Sequence, residues 1–256
     1  MFVACSTLCF AQMPFDKAMR RMADLEFDRV EYVFSGPSVH EVLKPSWITE
    51  NKEHALQRIR TASGLLPSSF DIRFETENLE DQKREFEALC WLAKSMSVAV
   101  VSIMPSPAGT SAEVEQKRLK ELMSIAARQG IVLTLTTTSD GITAQPADAV
   151  SICRSLPGLG LTLDASHYIN GPFQSASFDE VYPYVQNARL RDTGRKPGEF
   201  QMKIGQGEIE YNRIVSQLQR GGYRRGLVVA IEERVDSPFD TEAEVRKLKL
   251  VLESLI

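Results

Sequence analysis

The chain has 256 residues, of which 43% are hydrophobic and 25% charged, and its formal net charge is −4. These fractions are ordinary for a globular protein and exclude disorder by composition. The acidic balance and the absence of a long lysine or arginine run argue against a nucleic-acid partner. No apolar run reaches the roughly 18 residues of a membrane span, so we expect no membrane partner.

Cysteine usage and the first residues indicate the compartment. The cysteines Cys5, Cys9, Cys90 and Cys153 form no Cys-x-x-Cys pair, which favours free thiols in a reducing environment over a disulfide framework. The apolar start, Met1 to Gln12, lacks the charged segment and distinct cleavage site of a signal peptide. We interpret it as a buried strand and expect a cytoplasmic location.

Short β-rich runs alternate with longer amphipathic segments along the chain. Pro14 opens the first predicted helix, whose apolar residues recur every three or four positions up to Leu25. The predicted strands are Phe2–Ser6, Asp28–Phe34, Ser68–Phe74, Ser97–Met104, Ile131–Thr136, Gly160–Asp164, Asn187–Arg191 and Leu227–Glu232. The later predicted helices are Asn51–Ser63, Asn78–Ser95, Ser111–Gln129, Ala147–Leu156, Phe178–Val185, Ile209–Arg220 and Thr241–Leu255.

Eight such alternating units predict a parallel sheet, and the length is close to the roughly 250 residues of a (β/α)₈ TIM barrel. The competing architecture is an open doubly wound sheet. Its dinucleotide-binding form needs Gly-x-Gly-x-x-Gly directly after a strand, whereas Gly205-Gln-Gly207 follows a polar loop. No linker divides the sequence, so we expect residues 1–256 to form one α/β TIM-barrel domain.

Several segments resemble, in order, the xylose isomerase-like family of sugar-phosphate isomerases and epimerases. Leu161-Thr-Leu-Asp-Ala-Ser-His167 is similar to the Asp-x-x-His motif on the sixth strand of that family. Leu190-Arg-Asp-Thr193 and Ile204-Gly-Gln-Gly-Glu-Ile-Glu-Tyr211 resemble its seventh strand and Gly-x-Gly loop. The second and eighth strands are matched by Phe27-Asp-Arg-Val-Glu-Tyr32 and Gly222-Tyr-Arg-Arg-Gly-Leu-Val-Val-Ala-Ile-Glu232.

The resemblance implies a divalent metal at the barrel mouth, held by carboxylates after strands five, six and eight and by a histidine on strand seven. Carried over, the sixth- and eighth-strand ligands are Asp164 and Glu232. Thr136 occupies the fifth-strand position and Arg189 the seventh. Since arginine has no lone pair to donate, we expect no cofactor. Mn, Mg or Zn is disfavoured, and Asp164 and Glu232 would be its ligands if one were bound.

The same substitutions shape the expected chemistry. We expect Arg189 to lie between Asp164 and Glu232 and to supply the positive charge of the missing ion. Epimerases of the family use two carboxylates, and only Glu232 remains here. One base still suits aldose–ketose isomerisation, dehydration or enolisation. His167 completes the candidate catalytic set.

Further polar residues near the strand ends are candidate substrate contacts. Thr136, Arg73, Arg191 and Lys203 offer a hydroxyl and cationic groups for a sugar, phosphate or carboxylate. Glu31 would contact substrate hydroxyls or form a structural ion pair. The loop from residue 195 to residue 207 is long enough to act as a lid or to be an ordinary surface loop.

Two functions follow as hypotheses. The first is an isomerase-type or lyase enzyme that acts on a small carbohydrate, cyclitol or sugar phosphate. The second is a non-catalytic carbohydrate-binding barrel that has lost both metal and activity. The apurinic endonuclease branch of the superfamily is disfavoured, because it needs a histidine-rich zinc cluster and the chain has 3 histidines.

Overall fold

A computed structural model describes residues 1–38, 40–62 and 64–256. Within them, eight parallel strands close into a barrel in sequential order, so the predicted TIM barrel is confirmed. The strands are β1 Phe2–Ser6, β2 Arg29–Ser35, β3 Leu66–Arg73, β4 Val100–Ile103, β5 Val132–Thr136, β6 Gly160–Asp164, β7 Val185–Leu190 and β8 Gly226–Val229. No described helix is long and apolar enough to cross a lipid bilayer.

Helices cover the outside of this barrel and follow the strands in order. They are α1 Phe15–Asp24, α2 Pro45–Ala62, α3 Leu79–Ser95, α4 Ala112–Arg128, α5 Pro146–Ser155, α6 Ala165–Asn170, α7 Tyr211–Arg220 and α8 Thr241–Glu253. Side chains of Asn78, Ser111 and Asp240 accept hydrogen bonds from backbone N–H groups in the first turns of α3, α4 and α8. Such caps explain why these helices begin where they do.

The helix boundaries differ from prediction in three places. Helix α2 begins at Pro45 and is kinked at Asn51, whose backbone is not helical (φ −131°, ψ 34°), so the predicted start at Asn51 falls on this kink. Ser63, at the predicted end, lies outside the described residues. The segment predicted as a helix from Phe178 is a 3-10 helix, Asp179–Tyr184, with Pro183 inside it. Proline cannot donate the backbone hydrogen bond that a longer α-helix needs. Instead α6 follows β6 directly, in a stretch predicted to be a loop.

The interior of the barrel is polar, whereas its outer face is apolar. Hydroxyls of Ser102, Thr134 and Thr162, on three successive strands, lie 2.5 to 2.9 Å apart. Ala188 and Leu190 of β7 point the other way, into the hydrophobic core under the helices. Alternation along the strands thus sends Asn187 and Arg189 inward. Polar side chains thus fill the interior below the charged groups that lie toward the C-terminal mouth.

A buried carboxylate organises the long segment after β7. Asp192 is 1% exposed, and it accepts backbone hydrogen bonds from Thr193, Gly205 and Gly207 at 3.0, 2.6 and 3.2 Å. It thereby joins the beginning of the segment to its end. Between them, the backbone N–H of Met202 donates to the carbonyl of Asp192 at 3.0 Å, which folds residues 192–202 into a hairpin.

Gly207 should tolerate no side chain, because a Cβ there would lie 2.3 Å from Asp192 Oδ1 and 2.5 Å from the carbonyl of Thr193. We expect Gly207→Ala to lower the free energy of unfolding by about 1–3 kcal/mol, the range for overpacked sites. Chemical denaturation measures the effect. Gly64→Ala is the matched control, since nothing lies within 4 Å of its Cβ position. Equal stability of the two variants would contradict this account of the loop.

Candidate active site

The mouth of the barrel centres on Arg189. Its guanidinium is 2% exposed and contacts two fully buried carboxylates. Arg189 Nη1 donates to Asp71 Oδ2 at 2.8 Å, and Arg189 Nε lies 3.2 Å from Glu31 Oε1. The other oxygen of Glu31 accepts from Asn187 at 3.0 Å and from Ser69 at 3.2 Å. Strands β2, β3 and β7 are thus tied together across the interior.

Burial of two acids beside one another has an electrostatic cost. Burial raises the pKa of Glu31, Arg189 lowers it, and the neighbouring Asp71 raises it again, so that the net direction is upward. Buried charges are stable only when they are paired and hydrogen-bonded. Arg189 therefore holds the two carboxylates together, and Arg73 adds a second positive charge, its Nε 3.5 Å from Asp71.

A second ion pair lies nearer the opening, between Asp164 at the end of β6 and Arg191 just past β7. Arg191 Nη2 contacts Asp164 Oδ2 directly, and Ser166 Oγ donates to the other carboxylate oxygen. Both members are at most 5% exposed. Burial opposes ionisation of Asp164, but Arg191 and His167 outweigh it, and the pKa falls to about 2.

His167 lies beside this pair, and the structure fixes its uncharged form. Its Nδ1 accepts the backbone N–H of Ser139 at 3.0 Å, so the proton of the neutral ring is on Nε2, which lies 3.9 Å from Asp164 Oδ2. Burial lowers the pKa of His167 to about 4, although Asp164 raises it in part. The ring of Phe200, from the hairpin after β7, packs against His167 at 4.7 Å and under the Arg191 guanidinium at 5.0 Å.

Glu232 stands apart from these buried pairs. Strand β8 ends at Val229, so Glu232 lies three residues beyond it and is 33% exposed, unlike the strand-end residue that the sequence predicts. Arg234 Nη2 donates to its carboxylate at 3.0 Å. Burial raises the pKa of Glu232, but Arg234, Arg73 and Arg191 together bring it below its usual value.

A small cavity of about 170 Å³ opens beside Glu232 at the C-terminal ends of β1, β2 and β3. Arg73 and Glu232 supply its charged groups, together with Glu233, and His40 lines it as an uncharged ring whose pKa burial lowers. The carboxylate of Glu233 already accepts the backbone N–H of Gln12 at 2.8 Å. This volume is below the roughly 300–1,000 Å³ of typical drug-sized ligand pockets, so the cavity itself admits only a small group.

The position predicted for Arg189 is wrong in one respect. The side chain lies inside the barrel, but its direct partners are Glu31 and Asp71, and Arg191 is the residue that pairs with Asp164. Register explains the difference. Arg189 lies opposite Asp164 on the neighbouring strand and reaches across the interior, whereas Arg191, two residues later, reaches the level of the Asp164 carboxylate.

The remaining candidates divide between the site and the surface. Thr136 is 2% exposed at the end of β5, and its hydroxyl has no hydrogen-bond partner among the described residues. Lys203 is exposed on the loop after the hairpin. Sequence reasoning missed Asp71, Phe200 and Gln201. Asp71 was detectable by its alternation with Arg73 and Ser69 on one strand.

The residues present do not fit a divalent cation. Of the four metal-ligand positions of the family, Asp164 is bound by Arg191, and Arg189 brings a positive charge in place of a lone pair. Thr136 is neutral, and Glu232 lies beyond the strand, paired with Arg234. Within residues 1–38, 40–62 and 64–256, no three His, Cys, Asp or Glu side chains form a group that could hold a metal.

Comparison with known proteins agrees with this architecture. The family model described as xylose isomerase-like TIM barrel matches residues 19–254. No curated protein matches the sequence. Among solved structures with this fold, a xylose isomerase domain protein from Alicyclobacillus acidocaldarius is 15% identical, with a TM-score of 0.76 and coverage of 100% of this chain and 98% of that chain. The 3-keto-D-glucoside 4-epimerase from E. coli is 14% identical, with a TM-score of 0.73 and coverage of 99% of both chains. A probable 3-DHS dehydratase from Bacillus anthracis is 12% identical, with a TM-score of 0.73 and coverage of 99% of both chains.

Removal of the central guanidinium should destabilise the fold in a pH-dependent way. Arg189→Met leaves Glu31 and Asp71 buried without their main partner, which typically costs about 3–5 kcal/mol. The pKa of Glu31, already raised, rises further, so folding takes up a proton and the destabilisation grows as the pH increases. We expect part of the lost stability to return as the pH is lowered from about 8 to about 5.

Urea unfolding of Arg189→Met and wild type across this range measures the difference. Arg20→Met, at an exposed position of α1, is the control and should behave as wild type. A loss of stability that is small, or that does not depend on pH, would mean that Arg189 does not neutralise the two acids.

Proposed function

Because the chain belongs to the xylose isomerase-like TIM barrel family, we propose that it transfers a proton next to the carbonyl group of a small carbohydrate, cyclitol or sugar phosphate without a divalent metal. One observation carries the proposal. Glu232, a partly buried carboxylate, lines a small cavity with Arg73 at the end of the barrel where active sites of this fold lie. The class of reaction is that of an isomerase or a related lyase.

Glu232 is the candidate base. Its lowered pKa keeps it ionised at neutral pH, so it can accept a proton from the carbon beside a substrate carbonyl. In an isomerisation, the same carboxyl group returns the proton to the former carbonyl carbon. The hydroxyl on the deprotonated carbon passes its proton to the former carbonyl oxygen, so the first oxygen becomes the new carbonyl and the second the new hydroxyl. One carboxylate suffices when the proton leaves and returns on the same face of the substrate. The neutral Thr136, at the position where the resemblance implies a carboxylate, is therefore compatible with this reaction.

The negative charge that develops on the substrate oxygen requires a positive partner. Arg73 lines the cavity with Glu232, and its side chain is 34% exposed, although its Nε lies 3.5 Å from Asp71 Oδ2. A guanidinium there stabilises an enediolate or an anionic substituent of the substrate. We assign this role to Arg73, because Arg189 is only 2% exposed and is paired with both Glu31 and Asp71. In this proposal Arg189 and the Asp164–Arg191 pair shape the floor of the site.

A carbohydrate-binding barrel without activity is the second candidate. It is favoured by the pairing of Asp164, Asp71 and Glu31 with arginines, which leaves Glu232 as the one unburied carboxylate among the predicted catalytic residues. The two functions differ in a measurable step. Only the enzyme exchanges a carbon-bound proton of the ligand with solvent.

Incubation of wild type with a panel of aldoses, ketoses, inososes and sugar phosphates in deuterium oxide tests for this exchange by NMR. We expect deuterium at the carbon next to the carbonyl of at least one compound. Glu232→Gln should reduce the rate by about 10²–10⁴-fold, the usual contribution of a general base. Glu208→Gln, an exposed carboxylate of the loop before α7, is the control and should keep the rate.

Binding without exchange by any compound would support the inactive barrel. An active Glu232→Gln variant would remove Glu232 from the mechanism.

Metal removal gives an independent prediction. Because Arg189 and Arg191 place positive charge beside the family's metal-ligand positions, dialysis against EDTA should leave both exchange rate and stability unchanged. Elemental analysis of the purified protein measures occupancy directly. Stoichiometric manganese, magnesium or zinc that is lost together with activity would contradict the metal-free mechanism.

A further inference from the structure

Glu232 has a backbone that the sheet itself does not hold. At the level of β8, the N–H of Ala230 donates to the carbonyl of Leu190 at 2.9 Å, in the regular parallel pattern. Two residues later, that pattern would pair the N–H of Glu232 with the carbonyl of Asp192. The Asp192 carbonyl accepts instead from Met202 at 3.0 Å, because the chain turns there into the hairpin of residues 192–202.

The side chain of Gln201 fills the position that β7 has left. Its Oε1 accepts the backbone N–H of Glu232 at 2.7 Å, and its Nε2 donates to the carbonyl of Glu232 at 2.9 Å. One amide thus satisfies both backbone groups of the residue that carries the candidate base. Two hydrogen bonds from one planar group restrict rotation as well as position.

The same hairpin covers the neighbouring part of the mouth. Phe200, next to Gln201, packs on His167 and Arg191. The hairpin is anchored by Asp192 and by Asn170, whose Nδ2 donates to the carbonyl of Gly194 at 2.6 Å. Because Gln201 extends from an anchored segment, its amide can hold the backbone of Glu232 in a defined position.

We propose that Gln201 is a positioning residue for Glu232: through the Glu232 backbone it places the carboxylate in the cavity beside Arg73. This inference rests on the proposed function for its catalytic meaning. A misplacement of a catalytic group by about 1 Å can cost on the order of 100-fold in rate. Loss of Gln201 should therefore lower kcat, while the ligand-binding groups of the cavity stay in place.

Two measurements on the full-length protein test the proposal. Hydrogen exchange followed by NMR reports whether Gln201→Ala releases the Glu232 amide, and we expect exchange there to rise roughly tenfold, as for a lost hydrogen bond. Steady-state kinetics on the compound found in the deuterium panel should show kcat reduced about 10- to 100-fold with KM changed by less than about threefold. Gln206→Ala, an exposed glutamine of the same long segment, should change neither quantity.

Gln201→Glu separates positioning from simple packing. The isosteric side chain can still accept the Glu232 N–H, but it cannot donate to the Glu232 carbonyl, so we expect intermediate exchange and an intermediate kcat. Unchanged exchange at the Glu232 amide in Gln201→Ala would overturn the proposal, as would released exchange with full kcat. If Glu232→Gln keeps its activity, the proposed function fails, and amide exchange still decides whether Gln201 holds Glu232.

Discussion

The centre of the barrel depends on one guanidinium placed between two buried acids. Arg189 neutralises Glu31 and Asp71 at positions where neither carboxylate reaches solvent. Without Arg189, these acids could stay buried only by taking up a proton, or they would have to move into solvent, because an unpaired charge is unfavourable in a low-dielectric interior. The ion pairs link β2, β3 and β7 across the interior. Arg189 stands at the strand-seven position where the resemblance to the xylose isomerase-like family implies a metal-ligating histidine.

The arrangement changes which residues face a ligand. Asp164, which the resemblance implies as a metal ligand, is paired with Arg191, and its pKa is lowered to about 2. The uncharged His167 and the ring of Phe200 cover that pair. The cavity lies to the side and is lined by Arg73 and Glu232. Ion pairs thus build the floor of the mouth, and in the proposed mechanism the chemistry falls to Glu232, which lines the cavity with Arg73.

The hairpin after β7 links the two regions. Asp192 fixes its base, Phe200 covers the Asp164–Arg191 pair, and Gln201 holds the backbone of Glu232. The sequence allowed this segment to be either a lid or an ordinary loop. In the folded protein it is tied at several points, so it acts as a part of the site. A residue far from Glu232 in sequence completes hydrogen bonds that the sheet cannot supply.

The closed barrel could be predicted from local patterns, because alternating apolar strands and amphipathic helices permit few other arrangements. The sequence also determined that Asp164, Arg189 and Thr136 stand at strand ends, since strand periodicity is local. The ion-pair partners of these charged side chains, in contrast, depend on the folded barrel. Side chains as long as arginine reach several strands, so Arg189 pairs with Glu31 and Asp71, and Arg191 with Asp164. Likewise, the end of β8 at Val229 depends on where β7 departs from the sheet, a non-local event that no segment encodes alone.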